Sequence, residues 1–397
     1  MELWFNHIDY LARVIGPRGS TTGAEAEAAR YAHEQFERAG LESRVEGFRS
    51  AISAWHPFAL TMALGLATVA VYPLAGRVTA AIALVLITAV VACALREINL
   101  LSNPLRLLLP KRESQNVWAI IPPAEEPKRR VVIVGHLDSH RTPLLFRSLR
   151  WQRLMHVIVP VGFLAMVAAV VLFAIGLATQ AAAVYLIAAS LAAVLAPVLL
   201  LMLQADLTPY THGANDNATG AGLLFTLAET LREQPLQETE VWLVATGCEE
   251  VGCYGAIAFF RGHRDALRDA AIIVVDTVGG PGSGPCYSRS EGMVLQHQYD
   301  SGLLALADAI ASERPELGAY SRKMTEAYTE GLPAIQAGLR ALTLCGFTSE
   351  NELPNWHQHT DTVENIDRDV LARNYAFVRE LIQRIDGGAA PVGGRTP

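Results

Sequence analysis

The chain has 397 residues, of which 51% are hydrophobic and 18% are charged, and its formal net charge at pH 7 is −7. This composition is too apolar for an ordinary soluble protein, so either the core is unusually large or part of the chain lies in lipid. The negative charge and the lack of a long basic block argue against nucleic acid as a partner. The five cysteines show no paired CxxC spacing, which argues against a disulfide framework or a thiolate zinc site and favours a reducing compartment.

The first segment, residues 1–54, is predicted to belong to a folded domain. Its start, MELWFNHIDY, lacks the basic beginning and apolar core of a cleaved signal peptide. The stretch STTGAEAEAARYAHEQFERAGL has helix-capping residues from Ser20 to Thr22, continues through alanine and glutamate, and reaches Gly40. This order of residues predicts an amphipathic helix.

Two apolar runs follow, at residues 58–73 and 78–95. Arg77 is the only charged residue between Ser50 and Leu95, and it lies in a turn that contains Pro and Gly. Each run approaches the roughly 17 to 25 residues that a helix needs to cross a bilayer. We predict a transmembrane hairpin over residues 55–98, with a buried core hairpin as the alternative.

A second apolar stretch is longer. Residues 154–204 contain no Asp, Glu, Lys or Arg, and IGLATQ near Gly176 offers a turn between two halves that are each long enough to span. We predict a second transmembrane hairpin here, with the same alternative. Four crossings return the chain to the side that it left.

The positive charges of the short loops predict which side that is. Arg77 is alone in the turns of the far side. The near side carries Arg96, Arg106, Lys111, Arg112, Arg141, Arg147, Arg150 and Arg153. Because short cytoplasmic loops carry the excess of Lys and Arg, we expect an integral protein of the inner or plasma membrane with its folded domain in the cytoplasm. The stretch NLLSNPLRLLLPKR, from Asn99, fits either an interfacial segment or a Pro-broken connector.

Outside the hairpins, residues 1–54, 99–153 and 205–388 are predicted to form one large α/β domain, with a flexible tail at 389–397. Short apolar runs predict strands that begin at Asn116, Val131, Val241, Ala271 and Ala341. Helical patterns occupy residues 220–232, 256–264, 302–312 and about 367–385. Strands apolar on both faces, alternating with helices, predict a mostly parallel mixed sheet that is covered by helices on both faces.

Five segments supply residue types that bind metal ions, and three of them, GHLDS, TGCEEVG and VVDTVGG, follow predicted strands, where the reactive groups of parallel sheets gather. The residues are His136 and Asp138 in GHLDS, Asp216 in GANDNATG, Glu249 and Glu250 in TGCEEVG, Asp276 in VVDTVGG, and His357 and His359 in NWHQHTDT. Imidazole nitrogen with carboxylate oxygen suits zinc, with manganese or cobalt as alternatives. Each motif alone is common in structural roles. Together they are costly to bury without a cation.

In this order the motifs resemble those of the M28 metallopeptidases, which are zinc aminopeptidases with two co-catalytic metal ions. The resemblance runs through HxD, GAxDNxxG, EE, an Asp after an apolar strand, and a His shortly before DT. It extends over nearly all of the chain outside the hairpins, and it implies a zinc-exopeptidase-type fold with two inserted transmembrane hairpins. One departure is YTEGLP, at the position where the family often has Ser-Asp-His.

The resemblance implies a role for each ligand type. His136 and Asp276 would hold one zinc ion, Glu250 and His357 would hold the other, and Asp216 would bridge the two. The family spacing before the DT pair selects His357 over the neighbouring histidine of NWHQHTDT.

The resemblance also implies the roles of the groups around the metal ions. Glu249 would be the general base, and Asp138 would orient the imidazole of His136. The bond between Asp216 and Asn217 would be a cis peptide. By contrast, His140 is expected to be a loop residue in solvent, with an outer contact of the site or a substrate contact as the alternative. His212 is expected to be a loop residue, and Cys248 to pack as a small buried side chain.

The first function that we expect is therefore a membrane-anchored zinc aminopeptidase acting on peptides. The alternatives are a zinc amidohydrolase for N-acyl or lipid-linked amides, and a non-catalytic binding protein of the same fold. A glutaminyl cyclase-like transferase uses this fold with a single zinc ion, and the presence of His136 and of ligands for two ions argues against that function. A homodimer is compatible with the sequence.

Overall fold

The computed structural model describes residues 1–72 and 76–388, so the tail predicted at 389–397 and the middle of the first predicted turn lie outside the described residues. The chain divides into two units. The first consists of Met1–Ile52, Lys111–His140 and Tyr210–Pro397, and the second consists of Ser53–Pro110 and Arg141–Pro209.

Strands of the first unit form one mixed sheet. In chain order they are β1 (Ser43–Ala51), β2 (Lys111–Ile121), β3 (Arg129–His136), β4 (Thr239–Thr246), β5 (Ala271–Asp276), β6 (Cys286–Glu291), β7 (His297–Gln298), β8 (Tyr320–Met324) and β9 (Arg340–Cys345). The spatial order is β1-β2-β4-β3-β5-β9-β6-β7, and β8 pairs with β6. Strands β4, β3, β5 and β9 are parallel, whereas β1, β2, β6 and β7 add antiparallel pairs.

Some helices flank this sheet, and the others form the second unit. In chain order they are α1 (Glu2–Asp9), α2 (Gly23–Arg38), α3 (Trp55–Val71), α4 (Gly76–Ile98), α5 (Leu149–Thr179), α6 (Ala182–Ser190), α7 (Ala192–Asp206), α8 (Thr219–Glu233), α9 (Tyr254–Gly262), α10 (Ser301–Glu313), α11 (Gly331–Gln336) and α12 (Arg368–Asp386). The predicted fold class, an α/β fold with a mixed sheet flanked by helices, is confirmed.

The sequences of the central strands account for their place in the middle of the sheet. β3 reads VVIV and β5 reads IIVV at their centres, and these side chains are all buried. Apolar residues on both faces are typical of parallel strands that helices cover on two sides. Since the strands are parallel and in register, their carboxyl ends meet at one edge of the sheet, where His136 pairs with Thr246 and Asp276 with Cys345.

Strands β1, β6, β7 and β8 were not predicted. Three of them, β1, β6 and β8, are rich in Ser, Arg, Glu and Lys and have no apolar run. β1 is half-buried or exposed except at its last two residues, and β6 is buried although its sequence is polar. A strand near the edge of a sheet needs fewer apolar residues, because one of its sides or faces meets solvent. Apolar runs therefore revealed the centre of the sheet and missed its margins.

A short loop, residues 214–218, leads into α8. Its Asp216–Asn217 peptide bond is cis, as the resemblance implied. Gly220, in the first turn of α8, lies so close to β5 that a Cβ there would be 2.3 Å from the carbonyl oxygen of Val275. The helix therefore starts directly against the end of β5, which places the preceding loop over the edge where Asp276 ends.

The second unit is helical and contains the predicted hairpins. Its apolar residues form a cluster of their own, in which Tyr72 stacks on Phe173 at 3.9 Å between ring centroids. Asp206, at the end of α7, accepts a hydrogen bond from Ser53 Oγ at 2.5 Å and contacts His56 Nε2 at 2.6 Å. These polar contacts tie the end of the last helix to the start of the first one.

Three helical segments of this unit are long and apolar enough to cross a membrane: Gly76–Ile98, Leu149–Thr179 and Ala182–Asp206. In the most apolar 18 residues of each segment, only 28%, 28% and 22% of the residues are buried within the protein. Most residues of these stretches therefore keep exposed surface. The fourth predicted crossing, α3, has 17 residues and is at the lower limit for a span.

Candidate metal centre

Two candidate ligands lie at the ends of neighbouring parallel strands. His136 is the last residue of β3, and Asp276 is the last residue of β5. His136 Nε2 lies 3.7 Å from Asp276 Oδ1, and both residues are buried. The sheet therefore brings together an imidazole and a carboxylate that are 140 positions apart in the sequence.

Asp216 lies between this pair and a second histidine. Its Oδ1 is 3.2 Å from Nε2 of His136, and its Oδ2 is 3.3 Å from Nε2 of His357. Asp361 holds the loop, because its carboxylate accepts the backbone N–H groups of Asn215 at 2.6 Å and Asp216 at 3.1 Å. Asp216 thus directs one oxygen toward each histidine, which is the arrangement that a bridging ligand requires.

The two adjacent glutamates lie in a turn after β4 and have different partners. Glu250 Oε2 is 3.2 Å from His357 Nε2. Glu249 Oε2 is 4.0 Å from His136 Nε2, and its Oε1 accepts from Cys253 Sγ at 3.2 Å. Glu250 therefore joins the group around His357, whereas Glu249 faces the other histidine from a longer distance.

Asp138 connects the end of β3 with that turn. Its carboxylate accepts the backbone N–H groups of Glu249 at 3.0 Å and Glu250 at 3.2 Å, and the hydroxyl of Ser20 at 2.6 Å. Nδ1 of His136 is 3.1 Å from the backbone oxygen of Asp138 and 3.5 Å from its Oδ1. With Nδ1 held in this way, Nε2 is left to face the carboxylates.

His357 lies in the loop between β9 and α12. It is 8% exposed and has a left-handed backbone with φ of 55°, which is uncommon for a residue with a side chain. Its ring contacts that of Trp356, with centroids 4.4 Å apart. His359, the alternative from the sequence, is exposed.

His140 is buried, and the expectation that it lies in solvent is wrong. It is 6% exposed, and its ring stacks on that of His357 at 3.6 Å between centroids with 15° between the planes. The preceding Ser139 is tied to Arg18, since Ser139 N–H donates to Arg18 O at 3.1 Å and Arg18 N–H donates to Ser139 Oγ at 3.0 Å. These bonds turn the chain inward after the HxD motif.

The other two expectations about loop and packing residues hold. His212 is exposed, with Nδ1 at 2.9 Å from the backbone oxygen of Ala12. Cys248 is fully buried, and burial raises the pKa of its thiol, which makes it a poor nucleophile.

Buried carboxylates outnumber cations in this cluster. Burial raises the pKa of Glu249 and Glu250 well above the usual value, and nearby carboxylates add to the effect. Burial also raises the pKa of Asp276. Burial opposes protonation of His136, yet the surrounding Asp138, Asp216 and Asp276 raise its pKa well above 6.5. All of these pKa values are raised, so the acids and the imidazole alike favour the protonated form, which indicates a site that lacks positive charge.

The donor set fits metal ions. Among the described residues, His136 Nε2, Glu250 Oε1 and Asp276 Oδ1 are buried side-chain atoms without a hydrogen-bond partner. Two groups have ligand atoms within 4.8 Å of one another, namely His136 with Asp216 and Glu250, and His140 with Glu250 and His357. Zinc, which prefers imidazole and carboxylate ligands in close groups, would satisfy these atoms.

Arg18 is a buried residue at the site that the sequence did not reveal. Its guanidinium is fully buried and donates to the backbone oxygens of Leu137 at 2.8 Å, His212 at 2.7 Å and Gly213 at 2.9 Å. It thus ties the HxD segment to the loop ahead of Asp216. Burial lowers its pKa to about 10, which leaves it charged at neutral pH.

Glu25 and Glu330 were also missed. Glu25 accepts from the backbone N–H of Cys248 at 2.8 Å, and Glu330 accepts from Thr246 Oγ1 at 2.7 Å. Burial raises the pKa of each to about 7. Glu330 belongs to YTEGLP, the stretch that departs from the family pattern, and it adds another buried acid near Glu249. A lone glutamate in a polar stretch carries no local signal of such a position.

Two comparisons of sequence relate this chain to known peptidases. Residues 189–382 match the peptidase family M28. The chain is 25% identical over 171 residues to the aminopeptidase YwaD of Bacillus subtilis, an alignment that covers 42% of this chain and 36% of that protein. The matched family range contains Asp216, Glu249, Glu250, Asp276 and His357, while His136 and Asp138 precede it.

Solved structures share the fold. A zinc aminopeptidase from Bacillus subtilis has a TM-score of 0.56 at 13% identity, over 97% of this chain and 94% of the other. The glutaminyl cyclase of Porphyromonas gingivalis has a TM-score of 0.56 at 14% identity, over 96% of this chain and 98% of the other. The solved structures show the fold alone, and it is the sequence match that identifies residues 189–382 of this chain as a peptidase domain of family M28.

Proposed function

We propose that this protein is a membrane-anchored di-zinc aminopeptidase. The observation that carries the proposal is the position of Asp216, whose two oxygens lie 3.2 and 3.3 Å from the Nε2 atoms of His136 and His357. A carboxylate placed between two such histidines suits two metal ions that share a ligand. His136 and Asp276 would hold one ion, and Glu250 and His357 the other.

Zinc ions bound there would act as Lewis acids and lower the pKa of a water held between them. Glu249 is the proposed general base. Its backbone is fixed by Asp138 and one of its oxygens by Cys253, so its other oxygen faces the ligands. The high pKa that burial gives this carboxylate favours proton uptake. In this scheme Glu249 accepts a proton from the attacking water and delivers it to the leaving amine.

The helical unit is the proposed membrane anchor. Its three long apolar segments face outward over most of their surface, with residues such as Val78, Leu164 and Leu186 exposed by 72%, 61% and 74%. An exposed apolar surface of this extent is expected to contact lipid. The excess of positive charge in the near-side loops supports a cytoplasmic position of the peptidase unit in this proposal.

Three alternatives, two enzymatic and one non-catalytic, compete with this function. Hydrolysis of an N-acyl or lipid-linked amide uses the same chemistry with another substrate. Glutaminyl cyclases share the fold, but the presence of His136 beside Asp276 and Asp216 supplies ligands for a further ion beyond the single zinc of that activity. A non-catalytic binding protein would have no need for the buried Glu249 beside these ligands.

The test is metal analysis with an activity panel on the purified full-length chain in detergent. We expect two zinc ions per chain, hydrolysis of aminoacyl anilides, and no release of ammonia from peptides that begin with glutamine. Glu249→Gln should lower kcat by about 10³-fold, within the range of general base catalysis, and keep both ions.

A comparison variant, Glu250→Gln, should lose zinc from the His357 side as well as activity. Anilide hydrolysis that persists in Glu249→Gln would eliminate Glu249 as the base. Cleavage of acyl amides without cleavage of anilides would favour the amidohydrolase, and an inactive chain that retains both metal ions would favour the binding protein.

A further inference from the structure

His140 occupies a position that the proposed ligand set does not use. It stands two residues after Asp138, in a segment with every side chain from His136 to His140 buried. Its backbone is fixed, since Thr211 N–H donates to His140 O at 2.8 Å and Ser139 Oγ donates to Thr211 O at 3.0 Å. The ring is therefore held in place by the chain on either side of it.

The ring of His140 lies against a proposed ligand and close to another. It stacks on His357 with 3.6 Å between centroids. Ligand atoms of His140, Glu250 and His357 all lie within 4.8 Å of one another, so one ion could contact all three once the rings rotate out of the stack and direct a nitrogen at it. Two imidazoles and a carboxylate are a set that zinc binds in many proteins.

We propose that His140 is an additional ligand of the metal ion held by Glu250 and His357. This inference rests on the proposed di-metal centre and makes it asymmetric. One ion has a single imidazole, from His136, with the carboxylates of Asp276 and Asp216. The other ion has two imidazoles, from His140 and His357, with Glu250 and Asp216.

Asymmetry has a measurable consequence. The ion with two imidazoles has four protein ligands, whereas the other has three, so the ion with two imidazoles should be bound more tightly. A chelator should then remove the ions in two steps, the ion on the His136 side first.

The decisive variant is His140→Phe, which keeps a flat ring against His357 and removes the nitrogen. Its matched control is His359→Phe, since His359 is an exposed histidine in the loop of His357. Zinc affinities of the full chain are measured by competition with a chromophoric chelator. The Co²⁺-substituted forms are compared by their visible absorption, which depends on the number and type of ligands.

Loss of a residue that hydrogen-bonds a metal ligand typically lowers metal affinity about 10- to 100-fold. We expect His140→Phe to lower the zinc affinity of the tighter site by at least this factor and to change the Co²⁺ spectrum. His359→Phe should match the wild type in both measurements. Equal melting temperatures of the metal-free forms show that the variant is folded, and His140→Gln is the second variant if the phenylalanine disturbs packing.

Unchanged zinc affinities and an unchanged Co²⁺ spectrum in both His140 variants would overturn the inference. The same holds if these variants raise KM alone, because the ring would then contact substrate rather than metal. That outcome would leave the di-metal centre intact. A wild-type chain that binds no divalent ion would instead refute the proposed function, and so the two failures are distinguishable.

Discussion

Single residues around the site act mainly through the main chain. Arg18 donates to backbone oxygens of the HxD segment and of the loop ahead of Asp216, and Asp361 accepts the N–H groups of that loop. A buried charged group is tolerated when its hydrogen bonds are satisfied, and it then fixes the segments that it contacts. The candidate ligands are thus held by residues outside the proposed ligand set.

His7 gives the peptidase unit a pH-dependent stability. The residue is 4% exposed, its Nδ1 lies 2.8 Å from Tyr31 Oη, and burial lowers its pKa to about 4. In the unfolded chain the imidazole takes up a proton near pH 6.5. The unfolded state therefore binds more protons between these two values, and stability falls as the pH falls from about 6.5 to about 4.

We predict that His7→Phe removes this pH dependence, since phenylalanine keeps the ring packing and cannot be protonated. The shift corresponds to about 3 kcal/mol at most, and the free energy of unfolding from urea titrations at pH 7 and pH 4.5 measures it. The exposed His359→Phe should follow the wild type. An equal loss of stability in wild type and His7→Phe would contradict the prediction.

At the scale of elements, helix α2 supports the turn that carries Glu249 and Glu250. Glu25 lies in the first turn of α2, and its Oε2 accepts the N–H of Thr21 at 2.7 Å and the hydroxyl of Ser114 at 2.9 Å. Its Oε1 accepts the N–H of Cys248 at 2.8 Å. One carboxylate therefore caps the start of a helix and also fixes the beginning of the glutamate turn.

We predict that Glu25→Gln impairs both stability and catalysis. The amide nitrogen of glutamine would face one of the N–H or O–H groups that now donate to the carboxylate. That group would lose its acceptor, which lowers the free energy of unfolding by about 1–3 kcal/mol at a buried position. A displaced turn should lower kcat/KM by about tenfold or more, because small shifts of a catalytic group have effects up to about 10²-fold. Thermal melting and anilide kinetics measure the two effects.

The matched control is Glu27→Gln, on the same helix, where the carboxylate is exposed and pairs with Arg30 at 3.5 Å. An exposed pair contributes little, so this variant should behave as the wild type. Wild-type kinetics in Glu25→Gln would show that the turn does not depend on α2.

At the scale of the whole molecule, membrane insertion decides where the site works. The proposed four crossings place the turn between α5 and α6 on the far side and the loop between β2 and β3 on the cytoplasmic side. Thr179, the last residue of α5, and Glu126, in the loop between β2 and β3, are exposed. Their labelling by a membrane-impermeant thiol reagent reports the topology directly.

We predict that Thr179→Cys is labelled in intact cells, whereas Glu126→Cys is labelled only after permeabilisation. The background is Cys93→Ser, because the other native cysteines are buried. The reverse pattern would place the peptidase unit outside, and labelling of both positions in intact cells would argue against spanning helices.

Local patterns predicted the parts of the fold in which each residue's environment is set by its neighbours in sequence. The runs of β3 and β5, the capped helix α2 and the charge-free stretch at residues 154–204 all have this character. The polar strands β1 and β6 to β8 were missed, because pairing with another strand rather than their own composition determines them. The burial of His140 was missed because Arg18, far away in sequence, turns the chain inward.

By itself the sequence determined that apolar strands end in imidazole and carboxylate groups, and that two apolar stretches suit a bilayer, because both are properties of short segments. Only the tertiary structure decided which groups meet. Asp216 stands between His136 and His357, Glu25 reaches a turn 223 positions away, and His140 stacks on His357. Such contacts depend on strand register and loop closure across the whole domain, and these are set by the packing of the complete chain.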